Sequence, residues 1–173
     1  MQSPEPIINK AANRSVVEID LAEFFPAKED VVNIDLKDFL FKGLIVREAD
    51  FREQISSTDW AAFRNKYVCV HCSSDAIIPM WAYMLLSVSL APFAKDIVVT
   101  EPTHAEDVFQ QRAIAAIDFK KYEGSRVIVK GCGDRAILPG AFALISLELA
   151  RVARSVMYGE ACSSVPVFKK SVD

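Results

Sequence analysis

The side chains in this chain best suited to chemistry are thiols, and two of them stand in near-identical surroundings. Cys72-Ser-Ser-Asp-Ala-Ile-Ile-Pro79 and Cys132-Gly-Asp-Arg-Ala-Ile-Leu-Pro139 share the pattern C-x3-A-I-[I/L]-P. Cys162 follows in Ala161-Cys-Ser-Ser164, which echoes the Cys-Ser-Ser at 72. Thiolates suit zinc or an iron–sulfur cluster, and structural zinc takes four ligands in a tetrahedron. Cys72, Cys132 and Cys162 would supply three. The fourth is open between His104, His71, Cys69 and a water. Cys69-Val-His-Cys72 is a C-x-x-C in spelling alone, because it lies in a predicted strand where residues 69 and 72 point to opposite faces. Cys69 reads as a small core residue.

Each assignment has a plainer counterpart. Free cysteine is among the most buried residue types, so the thiols could simply pack. Gly131 and Gly133 on either side of Cys132 weigh the other way, since they suggest a ligand's close approach or an unusual backbone angle. Asp75 and Asp134 could act as paired acid and base, although short acids near a helix start more often cap or turn the chain. His104, beside Glu101 and Glu106, reads as a surface histidine when it is not a ligand. Trp81, Tyr83 and Met84 read as core, with Trp81 able to roof a pocket. The chain contains no G-x-G-x-x-G and no Walker pattern, so nothing points to a nucleotide cofactor.

These residues need elements to hold them. Residues 1–14 read as a loose lead-in with two prolines. Residues 15–65 form a β/α extension, with strands at Ser15–Leu21 and Val31–Asp35, a further strand at Gly43–Val46, and helical stretches over 48–56 and 58–65. The first two strands are separated by a turn-like Pro26–Asp30 and are expected to pair as a hairpin or antiparallel extension. The phrase Ile-Asp-Leu recurs at 19–21 and 34–36, a second and shorter repeat. From 66 to 173 strands and helices alternate: strands at 67–71, 96–100 and 126–130, helices at 79–91, 103–119 and 139–158, and an edge strand at 164–168. Pro79 and Pro139 both suit the first helical position. Alternation of this kind predicts an α/β fold, a small mainly parallel sheet with helices on both faces, in one domain. The three strands of the repeated core would then place Cys72, Glu101 with His104, and Cys132 along the C-terminal edge of one sheet, where ligands of open α/β sheets bind.

With 173 residues, 51% apolar and 25% charged, the chain has globular values. A net charge of −3 gives no footprint for nucleic acid. The apolar stretch from Ile77 to Phe93 is broken by Pro79, Ser87, Ser89 and Pro92 and is a poor membrane span. The start of the chain lacks a basic segment leading into an apolar one, so no signal peptide is expected and the cytoplasm is the expected compartment. There, four cysteines are more often free, metal-bound or redox-active than in structural disulfides.

Three blocks carry a family resemblance: Ser74-Asp-Ala-Ile-Ile-Pro-Met-Trp-Ala-Tyr-Met-Leu-Leu86, Val129-Lys-Gly-Cys-Gly-Asp134 and Gly159-Glu-Ala-Cys-Ser-Ser-Val-Pro-Val-Phe-Lys169. With Asp38-Phe-Leu-Phe-Lys-Gly-Leu-Ile45, they make the chain resemble, over almost its whole length, the bacterial family of domain of unknown function 2480. The resemblance implies no activity. It does imply cysteines at 72, 132 and 162 rather than 69. Three readings follow: a metal-binding protein using Cys72, Cys132, Cys162 and a fourth ligand such as His104; an enzyme or redox protein working through one thiol; and a binding or assembly module with buried cysteines, including a homodimer through the N-terminal strands.

Overall fold

The computed structural model describes residues 16–131 and 136–171. The chain divides into two compact units, one continuous over 24–115 and one discontinuous, made of 1–23 and 116–173. Both are α/β, as expected, and each is built on its own mainly parallel sheet.

In the continuous unit the strands β2 (Val31–Asp35), β3 (Tyr67–His71) and β4 (Asp96–Val99) run parallel in the order β2-β3-β4. Helix α2 (Met80–Leu90) makes the crossover from β3 to β4. With α1 (Glu48–Ser57) it closes a core of Leu36, Phe51, Ile55, Trp60, Val68, Val70 and Leu86. Because strand side chains alternate, Cys69 and Val98 face the other way, where α3 (Pro102–Ala115) packs Ala105 and Phe109 on them. In the discontinuous unit β1 (Val16–Asp20), β5 (Arg126–Lys130) and β6 (Ser155–Tyr158) are parallel. Strand β7 (Val165–Lys169) adds antiparallel to the β6 edge, where its Pro166 is tolerated. Helix α4 (Pro139–Val152) joins β5 to β6 and buries Ala141, Ile145 and Leu149.

The two units repeat one plan, with equivalent residues 59 apart, as in the Tyr67↔Asp96 and Arg126↔Ser155 strand partners. Asn65 N–H donates to the Phe93 carbonyl at 3.0 Å and Gly124 N–H to Val152 at 3.0 Å; Lys95 N–H donates to Lys66 and Arg154 N–H to Ser125, both at 2.8 Å. Buried Ala82, Leu86 and Leu90 of α2 match Ala141, Ile145 and Leu149 of α4. Asp59 and Asp118 accept from the N–H two residues on, each starting a 3-10 turn before the central strand. The same turn ends on a left-handed residue, Asn65 at φ 62° and Gly124 at φ 67°. Asparagine tolerates that region and glycine occupies it without strain. Asn65→Gly should therefore be neutral to slightly stabilising, whereas Gly124→Ala should cost about 1 kcal/mol in urea unfolding.

Several expectations are corrected. β1 and β2 form no hairpin: each enters a different sheet beside a strand from later in the chain, because β-branched segments of one length pair with whichever central strand their unit supplies. Consequently the strands at 67–71 and 126–130 do not share a sheet. Gly43–Val46 is a tight turn with a single Phe41↔Ile45 bridge and left-handed Lys42 and Gly43. The last helix stops at Val152, where Ala153 turns extended, and residues 155–158 form β6. No glycine or proline marks that stop; Arg154 N–H leaves the helix for a tertiary bond to Ser125. Pro139 takes the first helical position, but Pro79 is the N-cap of α2, one place earlier. The tail forms a strand at the sheet edge, as expected.

Candidate functional site

Parallel strands deliver their C-terminal ends to one edge, and in the continuous unit that edge is polar. β2 ends on Asp35, β3 on His71 and then Cys72, and β4 leads through Thr100 to Glu101. Asp35 Oδ1 accepts from Lys37 N–H and from Ser73 N–H, each at 3.0 Å, so one carboxylate both starts a 3-10 turn and ties down the loop after Cys72. Burial alone would push the Asp35 carboxyl up, but the Ser73 hydroxyl and N–H, the Lys37 N–H and the His71 charge together hold it below its ordinary value. A lowered carboxyl contributes stability above its unfolded pKa and loses it as the pH falls through the folded value. Asp35→Ala should cost about 1 kcal/mol at pH 7, and the difference from the parent should shrink below about pH 4 in pH-dependent urea unfolding.

Cys72 is half-buried, with Sγ 3.3 Å from Ser74 Oγ and 3.6 Å from the Ser74 carbonyl. Tyr83 comes from α2 to the same place: burial, and after it the charges of Cys72 and Glu101, push its phenol up. Cys69 is fully buried and its Sγ donates to the Thr100 carbonyl at 3.3 Å, the packing role expected of it. Burial is the main cause that pushes its thiol up. His104 stands exposed on the first turn of α3, its N–H bonded to the Glu101 carbonyl at 2.9 Å. Asp75 is exposed and caps nothing, since α2 has no side-chain cap. Trp81 packs edge-on to Phe51 at 5.5 Å against the core, and Met84 lies outside the core at 67% exposure.

The discontinuous unit has the corresponding edge. β1 ends on Asp20, which caps Ala22 N–H at 3.0 Å. Lys130 at the end of β5 reaches Glu18 at 3.1 Å and Glu160 at 3.9 Å, so the β6–β7 turn that carries exposed Cys162 lies beside the end of β5. Asp20, Lys130 and Glu160 thus answer to Asp35, His71 and Glu101. Cys132, with Gly133 and Asp134, lies outside the described residues. Gly131 has a packing reason to be glycine: a Cβ there would sit 2.5 Å from Ile137 Cδ1 and 2.8 Å from Phe142 Cζ.

The repeat also shifts the register of the cysteines. Seven residues separate strand from N-cap in both units, 72–78 and 131–137. Cys72 is the first of its loop and corresponds to Gly131; Cys132 is the second and corresponds to Ser73. The two proline motifs are therefore offset by one residue in the fold, with Pro79 at the N-cap and Pro139 one place later. Among the described residues no three histidine, cysteine, aspartate or glutamate side chains cluster as a metal site. Asp35 carries no chemical signal of its own in the sequence beyond the repeated Ile-Asp-Leu, and Tyr83, expected in the core, is drawn to the Cys72 end of the sheet.

The model of the family described as protein of unknown function (DUF2480) matches residues 5–170. The chain belongs to that family. Comparison with curated proteins and with solved structures gives no match. Among the described residues no helix is long and apolar enough to cross a membrane.

Proposed function

We propose that this member of the DUF2480 family is a cytoplasmic metal-binding protein, using thiolates from Cys72, Cys132 and Cys162 to hold zinc or an iron–sulfur cluster, with His104 as a candidate fourth ligand. The observation that carries the reading is the doubled loop: each unit has a thiol within the first two residues after its central parallel strand, although the loops otherwise differ. Thiolates are the right donors for a thiophilic ion and wrong for a hard cation such as magnesium. Elemental analysis of untagged protein purified without chelator tests it. About one equivalent of zinc or iron, lost in Cys132→Ser and Cys162→Ser, is expected; less than about a tenth of an equivalent of any transition metal overturns it.

A second reading, a thiol enzyme or redox protein, is favoured by the surroundings of Cys72, a half-buried thiol with the Ser74 hydroxyl 3.3 Å away and near enough to Tyr83 for its charge to act on the phenol. Alkylation rate against pH separates the two. A redox or nucleophilic Cys72 reacts faster than a free thiol at neutral pH, while Cys69 stays unmodified until the protein unfolds. Homodimerisation belongs to the proposal as well, since β1 and β2 are each the terminal strand of a sheet and edge strands accept partners. A monomer mass in light scattering at micromolar concentration would remove it.

A further inference from the structure

The end of the discontinuous unit's sheet opposite its thiol edge holds a small cleft lined by Arg126, Arg154 and Lys169, with Ser155, Met157 and Phe168. Strand register puts Arg126 opposite Ser155 and Ser155 opposite Lys169, so Arg126, Ser155 and Lys169 share one face of adjacent strands, and Arg154 joins the lining from just before β6. Arg126 and Lys169 are then about 10 Å apart at the backbone, a span that two long side chains close onto one anion. Among the described residues none of the three cations is in an ion pair, and the cleft has no acid in its lining.

The repeat shows how unusual that is for this fold. In the continuous unit the equivalents of Arg126, Arg154 and Ser155 are Tyr67, Lys95 and Asp96. Lys95 lies over the Tyr67 ring at 5.1 Å, and Asp96 binds Arg112 at 2.6 Å, so every charge there is answered within the unit. In the discontinuous unit a second cation replaces the aromatic ring and a serine replaces the acid, while β7 contributes Lys169. Like charges gathered in this way raise one another's cost, and an anion between them removes it.

We propose that this cleft is a binding site for a small phosphate monoester carrying a flat apolar group. Two guanidinium groups match phosphate oxygens in pairs, an ammonium and the Ser155 hydroxyl complete the donors, and Phe168 with Met157 gives the ester's ring an apolar wall. The volume of about 260 Å³ suits one phosphate and one ring, below the usual size of a site for a larger ligand.

Calorimetric titration of the full chain in phosphate-free buffer tests the assignment, with phenyl phosphate as probe and inorganic phosphate, benzoate and phenol as comparators. Phenyl phosphate should bind tightest, phenol not at all, and Arg126→Gln and Arg154→Gln should each weaken phenyl phosphate about tenfold, Lys169→Gln somewhat less. Absence of binding up to about 10 mM phenyl phosphate overturns the proposal, as does unchanged affinity in the Arg126→Gln, Arg154→Gln double variant or equal affinity for phenol. Should the arginine variants not fold, exposed Lys169→Gln decides: weakened binding with a shallower salt dependence supports the site, and an unchanged titration overturns it.

Discussion

Replacing Phe51 by alanine should cost the continuous unit about 3–5 kcal/mol, the largest single loss expected anywhere in the protein. The side chain is completely buried on α1, tilted against Phe39 at a ring separation of 5.9 Å and edge-on to Trp81 at 5.5 Å. Around it Leu36, Trp60 and Leu86 come from three different elements, so no single side chain can swing in to fill the space. Aromatic pairs add about 0.5–1.5 kcal/mol each beyond area, and two such pairs go at once. For a unit of ordinary stability the loss would be a large part of the total. Urea unfolding followed by tryptophan fluorescence reads it directly; a change below about 1.5 kcal/mol would mean that the aromatic cluster is far looser than its geometry.

The second large effect is expected from Ile145→Ala in α4, at about 2–3 kcal/mol, the lower part of the range for such a truncation. Ile145 is fully buried, as is its equivalent Leu86. Its surroundings differ, because beside α4 lies an apolar cleft of about 480 Å³ bordered by Phe142, Ser146, Val156 and Tyr158. Phe142 meets Tyr158 edge-on at 5.5 Å across that cleft and has room to shift toward a gap. Leu86→Ala, made beside a smaller cleft of about 360 Å³ bordered by Ile55, Trp60, Leu85 and Ser89, should cost more than Ile145→Ala. Equal losses in matched urea titrations would show that the cleft gives no relief.

The α/β class was legible because Val68, Val70, Val127 and Val129 sit in near-continuous apolar runs alternating with helical stretches, the pattern of strands covered on both faces. Sheet membership was not. Val16–Asp20 and Val31–Asp35 have the same composition and length, and nothing local says that one pairs with residues 126–130 and the other with 67–71. β6 stayed hidden inside a presumed helix because Val152-Ala-Arg-Ser155 contains no helix breaker and the stop is a tertiary hydrogen bond. The signal lay elsewhere, in the match of Ala153-Arg-Ser-Val156 to Ala94-Lys-Asp-Ile97 just before a strand. For the candidate site the thiols were visible by type, whereas Asp35 and Tyr83 reach it through the fold, from a strand and a helix that look like core.

The nested arrangement of the two units sets a timetable. β1 belongs with β5, and the Val16↔Arg126 pair closes across the whole of the continuous unit. On the ribosome, residues 24–115 are all made before β5 is, so β1 waits for its partner through the synthesis of the whole continuous unit. Until then β1 travels as an unsatisfied β-branched segment, Val16-Val-Glu-Ile-Asp20, with the exposure to stray pairing that such segments carry. Its Glu18 finds its Lys130 partner only when the central strand arrives, which makes the charge in the middle of β1 a guard during the wait as well as a contact afterwards.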